Sequence, residues 1–356
     1  MKRHFASDTY SGFNAEIIEE LQKVNAEYDY CYGSDDATKQ VETEFKKLFN
    51  CDCDIYLVPN GTGANVCSMQ MANINAISSF FCSKDCHIIT METGAITRVT
   101  GMCPIVVKTN DGKIDIEDME RLCKLYIDDV HSPQPKILTI AQVSETGSVY
   151  TYKELMEISK LCKKYKIFLH IDGARFSNAL IKMQMSPADF IKDIQPDILV
   201  FGGTKNGLMF GEAICVFNKE ISKNALFVRK QTLSLLSKMK YLSCQFLPYL
   251  KKNLWYSNAK NANEIAFYLK EQLKTITYDK IGSKERKIEI IGANDANIIF
   301  AKLPTRIVKP LQEYMHFYTY GEFDDLTMCR FVGNFDSTKG DVDDFVGKIK
   351  ELLVDI

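Results

Sequence analysis

Short apolar or β-branched runs alternate with amphipathic stretches over roughly the first 217 residues. Ile55–Pro59, His87–Thr90, Ile105–Lys108, Ile137–Gln142, Ile167–Asp172, Asp197–Gly202 and Ala213–Phe217 read as strands. Gly63–Asn73, Asp115–Asp128, Tyr152–Tyr165 and Pro187–Ile194 carry the helical period between them. Thr151 followed three residues later by Glu154 predicts a capping box at the start of one of these helices. Strands alternating with helices predict an α/β protein with a largely parallel sheet.

After Phe217 the texture changes. Residues 219 to 274 read as long helices, with Leu233, Leu236, Met239, Tyr241, Leu242 and Phe246 as an apolar stripe. Beyond them Lys287–Ile291, Asn297–Lys302, Phe317–Tyr320 and Thr327–Val332 read as strands, and Lys339–Leu353 as a final helix. The charged Gly282–Lys287 segment reads as a surface loop. The pattern predicts an N-terminal segment plus a large domain over residues 1–250, and a small α/β domain over residues 251–356. The first 30 or so residues are expected to wrap between the two.

Composition narrows the class. The chain has 356 residues, with 44 Lys and Arg against 46 Asp and Glu. So balanced a charge lacks the basic excess of a nucleic-acid or anionic-membrane binder. No run approaches the ~18 apolar residues of a membrane span. The 12 cysteines could form disulfides or bind metal. The N-terminus lacks a secretory pattern, and neither Cys51/Cys53 nor Cys82/Cys86 has a second pair at zinc spacing. Reduced, packed thiols in a cytoplasmic protein, with no metal, are therefore expected.

Ligands of open parallel sheets bind at the carboxyl ends of the strands. Three such ends carry polar groups. Val58-Pro59-Asn60-Gly61-Thr62-Gly63 is a strand, a turn and a helix start, which suits a phosphate or is an ordinary turn. Val66 stands where a dinucleotide fingerprint needs its third Gly, and no Lys-Ser/Thr follows as in a P-loop. Asp172 ends the apolar Ile167–Ile171 run, where it needs a partner or caps the next helix; His170 reads as structural. Lys205 follows the apolar Ile198–Phe201 run between glycines, as a Schiff-base lysine or as a loop lysine. Taken together, a phosphate turn, a strand-end Asp and a Lys 33 residues later fit pyridoxal 5′-phosphate.

At these residues the chain resembles the threonine aldolase / β-eliminating lyase family of fold-type-I pyridoxal-phosphate enzymes, and most closely its phenylserine aldolase-like branch. The shared elements are Phe5-Ala6-Ser7-Asp8, Tyr32-Gly33-Ser34-Asp35, Val58 to Asn65, His87 to Gly94, Ile171-Asp172-Gly173-Ala174-Arg175, Phe201 to Gly207, Leu236-Ser237-Lys238-Met239 and Arg330-Phe331-Val332. The resemblance implies that Lys205 carries the coenzyme, Asp172 pairs with its pyridinium, Arg175 contacts its ring hydroxyl and Gly61 and Thr62 bind its phosphate. By the same resemblance His87 stacks on the ring and acts near the substrate hydroxyl, while Ser7 and Arg330 hold the substrate carboxylate. Tyr32 and Lys238 then reach in from a neighbouring subunit, in a homodimer or homotetramer with active sites at the interface. The implied activity is retro-aldol cleavage of a β-hydroxy-α-amino acid to glycine and an aldehyde, with β-elimination, racemisation or transamination as the alternative. Two departures stand out: Ala6 replaces an Arg common among relatives, and the loop Gln142-Val143-Ser144-Glu145-Thr146-Gly147 replaces an Asn/His-rich one.

Overall fold

The structure, a computed structural model, describes residues 4–73, 77–281 and 284–354. Its centre is a seven-stranded sheet: β1 (Asp54–Val58), β2 (Ser78–Ser83), β3 (Cys103–Val107), β4 (Gln134–Ala141), β5 (Phe168–Gly173), β6 (Ile198–Gly202) and β7 (Glu212–Val216). Across the sheet the order is β1-β7-β6-β5-β4-β2-β3. The pairs from β6 to β3 are parallel, and only β7 runs against its neighbours. The α/β, mostly parallel reading is therefore what the chain adopts.

Strand periodicity explains the two covered faces. Leu199 and Phe201 of β6 join one core with Leu169, Ile171, Ala213 and Cys215, beneath the helices Asp36–Phe49, Tyr152–Tyr165, Pro187–Ile194 and Lys240–Lys251. Their neighbours Ile198 and Val200 face the other core with Val58, Phe80, Ile137 and Ile214, under the helix Gly61–Ala72. With helices on both sides, β2, β6 and β7 are buried along their whole length, which is why β6 and β7 read as apolar runs rather than alternations.

Helix ends follow local chemistry. Thr151 accepts the Glu154 N–H at 3.3 Å while Glu154 accepts the Thr151 N–H at 2.6 Å, the capping box expected from the pair. Ser186 caps the helix that begins at Pro187.

Three expectations change. His87–Thr90 is a helical turn, not a strand; the strand is the preceding Ser78–Ser83, whose serines hid it. Two isoleucines supply β propensity, but a central strand is defined by what covers it. The stripe through residues 233–246 is broken: the helix starts only at Lys240, and Leu233 is 88% exposed with φ +60°. Lys284–Lys287, expected in a loop, is a strand antiparallel to Thr277–Ile281; Gly282 and Ser283 lie outside the described residues.

A second, four-stranded antiparallel sheet is ordered Glu289–Ile291, Ile298–Pro304, Leu326–Val332, Tyr318–Phe323. Its core includes Leu303, Leu311, Phe317, Phe331 and Phe345. The helix Leu254–Lys274 bridges both cores, with Trp255 in the first and Ile265, Leu269 and Leu273 in the second. The chain start does likewise. Phe5 is buried in the second core, and the Asn14 N–H donates to the Gly207 carbonyl at 2.9 Å. Among the described residues no helix is long and apolar enough to cross a membrane.

Candidate active site

Three strand ends meet at one cavity of about 400 Å³. Gly61 and Thr62 follow β1, Asp172 ends β5, and Lys205 follows β6; all line it, with His87. Five residues singled out from the sequence are thus brought together.

The β1 side is a helix start. Asn60 caps the helix Gly61–Ala72, its Oδ1 taking the Gly63 N–H at 2.7 Å, and the Ala64 N–H returns to the Asn60 carbonyl. The Gly61 and Thr62 N–H groups are left outside the helix's own bonds, at the positive end of its dipole.

On the β6 side Lys205 occupies a single 3₁₀ turn, Thr204–Asn206. The turn is braced from behind: Asn206 Nδ2 donates to Tyr249 Oη at 2.7 Å and to the Trp255 carbonyl at 2.8 Å, and Asn258 Nδ2 donates to the Asn206 carbonyl. Gly202 and Gly207 permit it. A Cβ on Gly202 would lie 2.5 Å from the Ala174 carbonyl oxygen, and Gly207 has φ +99° with Asn14 and Asn258 crowding it. The Lys205 loop is thereby held between strand, N-terminal segment and long helix.

Asp172 and His170 face the same side of β5 as Val200. Asp172 Oδ1 accepts the Ala174 N–H at 3.1 Å, and Oδ2 accepts from Asn65 Nδ2 at 3.0 Å. That same Asn65 nitrogen donates to Glu92 Oε1 at 2.8 Å, and Glu92 Oε1 in turn lies 2.8 Å from His87 Nδ1. A buried polar chain therefore runs His87–Glu92–Asn65–Asp172. The hydrogen bond with Glu92 is the main cause that raises the His87 pKa above that of an ordinary imidazole, against a smaller opposing effect of burial. His170 lies deeper: burial pulls its pKa down to about 4, and its Nδ1 pairs with Thr139 Oγ1 at 2.9 Å.

Arg175 does not line the cavity. Its Nε and Nη2 bind the two Asp8 oxygens at 2.7 and 3.0 Å, and Asn297 Nδ2 adds a third bond to Asp8 at 3.1 Å. Burial opposes ionisation of Asp8, but the charges of Arg175 and Lys205 and these hydrogen bonds outweigh it and hold the carboxyl below its ordinary value. Near the same N-terminal segment, Arg330 Nη2 donates to the Ala6 carbonyl at 3.2 Å, and its guanidinium lies 5.3 and 5.4 Å from the Tyr318 and Tyr320 rings. Its Nε is buried without a partner among the described residues. Asp325 pairs with Arg286, not with Arg330. Ser7 stands beside Ala6, its Oγ 3.0 Å from Thr9 Oγ1. Tyr32 and Lys238 are exposed and away from the cavity lining, Tyr32 under Lys230 Nζ at 4.7 Å.

Several lining residues were not foreseen. Glu145, in the loop marked as a departure, faces the cavity, and its charge acts on both His87 and Arg175. Glu212 opens β7, and Thr9 comes from the N-terminal segment. Asn65 and Glu92 lie in the stretches Val58 to Asn65 and His87 to Gly94 that carry the resemblance, but their roles show only once each meets its partner through tertiary contact.

The profile of the beta-eliminating lyase family matches residues 4–294. The low specificity L-threonine aldolase of a Pseudomonas species is 32% identical over 357 residues, covering 99% of this chain and 97% of that protein. A protein of the same name from Pseudomonas aeruginosa is also 32% identical, with the same coverage. The solved threonine aldolase of Leishmania major superposes with a TM-score of 0.91 at 26% identity, over 99% of this chain and 100% of that one. With this likeness over its whole length, and with an amine, a carboxylate and a helix start converging on one cavity, the chain belongs to the beta-eliminating lyase family.

Proposed function

We propose that this chain is a pyridoxal 5′-phosphate-dependent aldolase that cleaves β-hydroxy-α-amino acids, of the threonine, allo-threonine or phenylserine type, to glycine and an aldehyde. The observation that carries the reading is the shared cavity of Lys205, Asp172 and the Gly61–Thr62 helix start. An amine for the aldehyde carbon, an acid for the ring nitrogen and free N–H groups for the phosphate are the three fittings this coenzyme requires. When bound, pyridoxal 5′-phosphate supplies the electron sink that makes the Cα–Cβ bond labile.

Each residue then has a task. Lys205 provides the covalent anchor, and its braced turn fixes where the amine points. Asp172, its oxygens already oriented by Asn65 and the Ala174 N–H, keeps the ring nitrogen protonated. The Gly61 and Thr62 N–H groups hold the phosphate. His87, on the cavity wall, would stack on the coenzyme ring, and with Nδ1 tied to Glu92 its Nε2 is the atom that would take the substrate hydroxyl proton, directly or through one water. The hydrogen bond to Glu92, which raises the His87 pKa above that of an ordinary imidazole, suits that exchange. Arg175, locked by Asp8, serves the ring hydroxyl, and Ser7 and Arg330 hold the substrate carboxylate, for which the unpartnered Arg330 Nε is a ready donor.

Tyr32 and Lys238 are assigned to a second copy's site, in a homodimer or homotetramer. Tyr28, Tyr30, Tyr32, Leu226, Phe227 and Leu233 are all exposed, and the Tyr32 N–H bonds the Ser237 carbonyl, so the two segments form adjoining apolar surface that supports such an assembly. The twelve free cysteines support a reducing, cytoplasmic setting.

A product panel tests the reading. Holoenzyme incubated with L-threonine, L-allo-threonine and phenylserine should release glycine with acetaldehyde or benzaldehyde in equal amounts. Ammonia and a keto acid without glycine would replace the aldolase with an eliminating lyase.

A further inference from the structure

Glu212 is a cavity carboxylate with no task in the reading above. At the start of β7 it stands opposite Gly202 of β6 and Val58 of β1, between the turn that carries Lys205 and the turn that carries Gly61 and Thr62. The residue is buried, 5% exposed, yet contributes to the cavity wall. Its Oε2 accepts the Gly203 N–H at 2.7 Å. Among the described residues no lysine or arginine nitrogen forms an ion pair with it. Lys205 and Asp172 are the charges that act on it, and the buried phenol of Tyr249 senses it in turn. Burial pushes its pKa up to about 7, so the cavity wall holds a carboxyl poised between its two forms near neutrality.

We propose that Glu212 takes up a proton when the coenzyme is loaded, so that retention of the coenzyme weakens as the solution becomes alkaline. The inference rests on the pyridoxal-phosphate reading and goes beyond it. Loading brings a phosphate dianion to the Gly61–Thr62 turn, on the cavity that Glu212 lines, and displaces water from around the carboxyl. Like charge and lost solvation both disfavour the ionised form. In acid Glu212 is already neutral and loading costs nothing extra. At higher pH each molecule loaded must bring one proton with it.

The test compares the wild type with Glu212→Gln, both as full-length chains stripped of coenzyme, and measures pyridoxal 5′-phosphate dissociation constants from pH 6 to 9. Titration of the coenzyme itself is common to both proteins and cancels in the ratio. The ratio of wild-type to variant constants should be near one at pH 6 and rise about tenfold for each pH unit above 7. A ratio that stays flat across the range would overturn the inference and leave the coenzyme reading standing. Failure of the wild type to bind at any pH would overturn both. A second readout does not depend on the variant's folding: the infrared difference spectrum of the wild type on loading at pH 8 should gain a protonated-carboxyl band, and its absence overturns the inference.

Discussion

Removing the Asp8 carboxylate should cost more than any other single truncation around the cavity. Asp8 and Arg175 are both buried, and their two bonds, at 2.7 and 3.0 Å, form a two-pronged charged pair. Asp8→Ala leaves a guanidinium in the interior with no counter-ion, a change that typically costs about 3–5 kcal/mol. Asn297 loses its bond to Asp8 as well, so the N-terminal segment, the β5 end and the second sheet lose a common fastening. Urea unfolding followed by circular dichroism at pH 7 reads this directly. With a slope of about 3 kcal/mol per molar, the midpoint should fall by about 1–1.7 M. The sign of the pH dependence follows from the depressed native pKa of Asp8. Its contribution is fully present above the unfolded-state carboxyl value of about 4, and is lost as pH falls through the lower native value. The gap between wild type and variant should therefore be constant from pH 5 to 7 and narrow only below that. Asp8→Ala/Arg175→Met should recover much of the loss, because the orphaned charge is gone. A cost below about 1 kcal/mol for Asp8→Ala, or strictly additive effects in the double variant, would refute the argument.

Other outcomes follow from the same contacts. Gly202→Ala pushes a methyl against Ala174 backbone atoms at 2.5–2.8 Å, which cannot rotate away. It should cost about 1–3 kcal/mol and weaken coenzyme binding, and an unchanged melting curve would contradict the geometry. Glu92→Gln removes the main cause of the raised His87 pKa, so NMR titration should return that imidazole toward about 6.5. In the wild type the His87–Glu92 contribution to stability is present below that value and fades as pH rises through the raised one; the variant should lack this alkaline loss. Thr151→Ala breaks the capping box and should cost about 1 kcal/mol in thermal or urea unfolding, with no effect on the cavity.

What could be read before folding and what could not divides along physical lines. Asp172 and Lys205 were legible because each closes an apolar run, and parallel strands deliver their carboxyl ends to one edge. The Thr151–Glu154 cap and the Pro187 helix start were legible because their chemistry is local. Ser78–Ser83 was not, since its burial comes from helices far along the chain rather than from its own composition. Mistaking His87–Thr90 for that strand moved His87 into a sheet, whereas it stands just past the end of β2 at the ligand edge. Glu92 and Asn65 are ordinary polar residues of a turn and a helix until a chain of hydrogen bonds joins them across 27 positions. Glu212 stayed hidden because a Glu beginning a strand reads as solvent-facing, and only the antiparallel placement of β7 between β1 and β6 turns it inward.

The account turns on the amine at position 205. Borohydride reduction of the purified protein in the presence of pyridoxal 5′-phosphate, followed by mass mapping of its peptides, tests it most directly. The account predicts one stable phosphopyridoxyl adduct, on Lys205, absent from Lys205→Ala along with cleavage of the hydroxy-amino acid. An adduct on another lysine, no adduct at all, or undiminished cleavage by Lys205→Ala would contradict it.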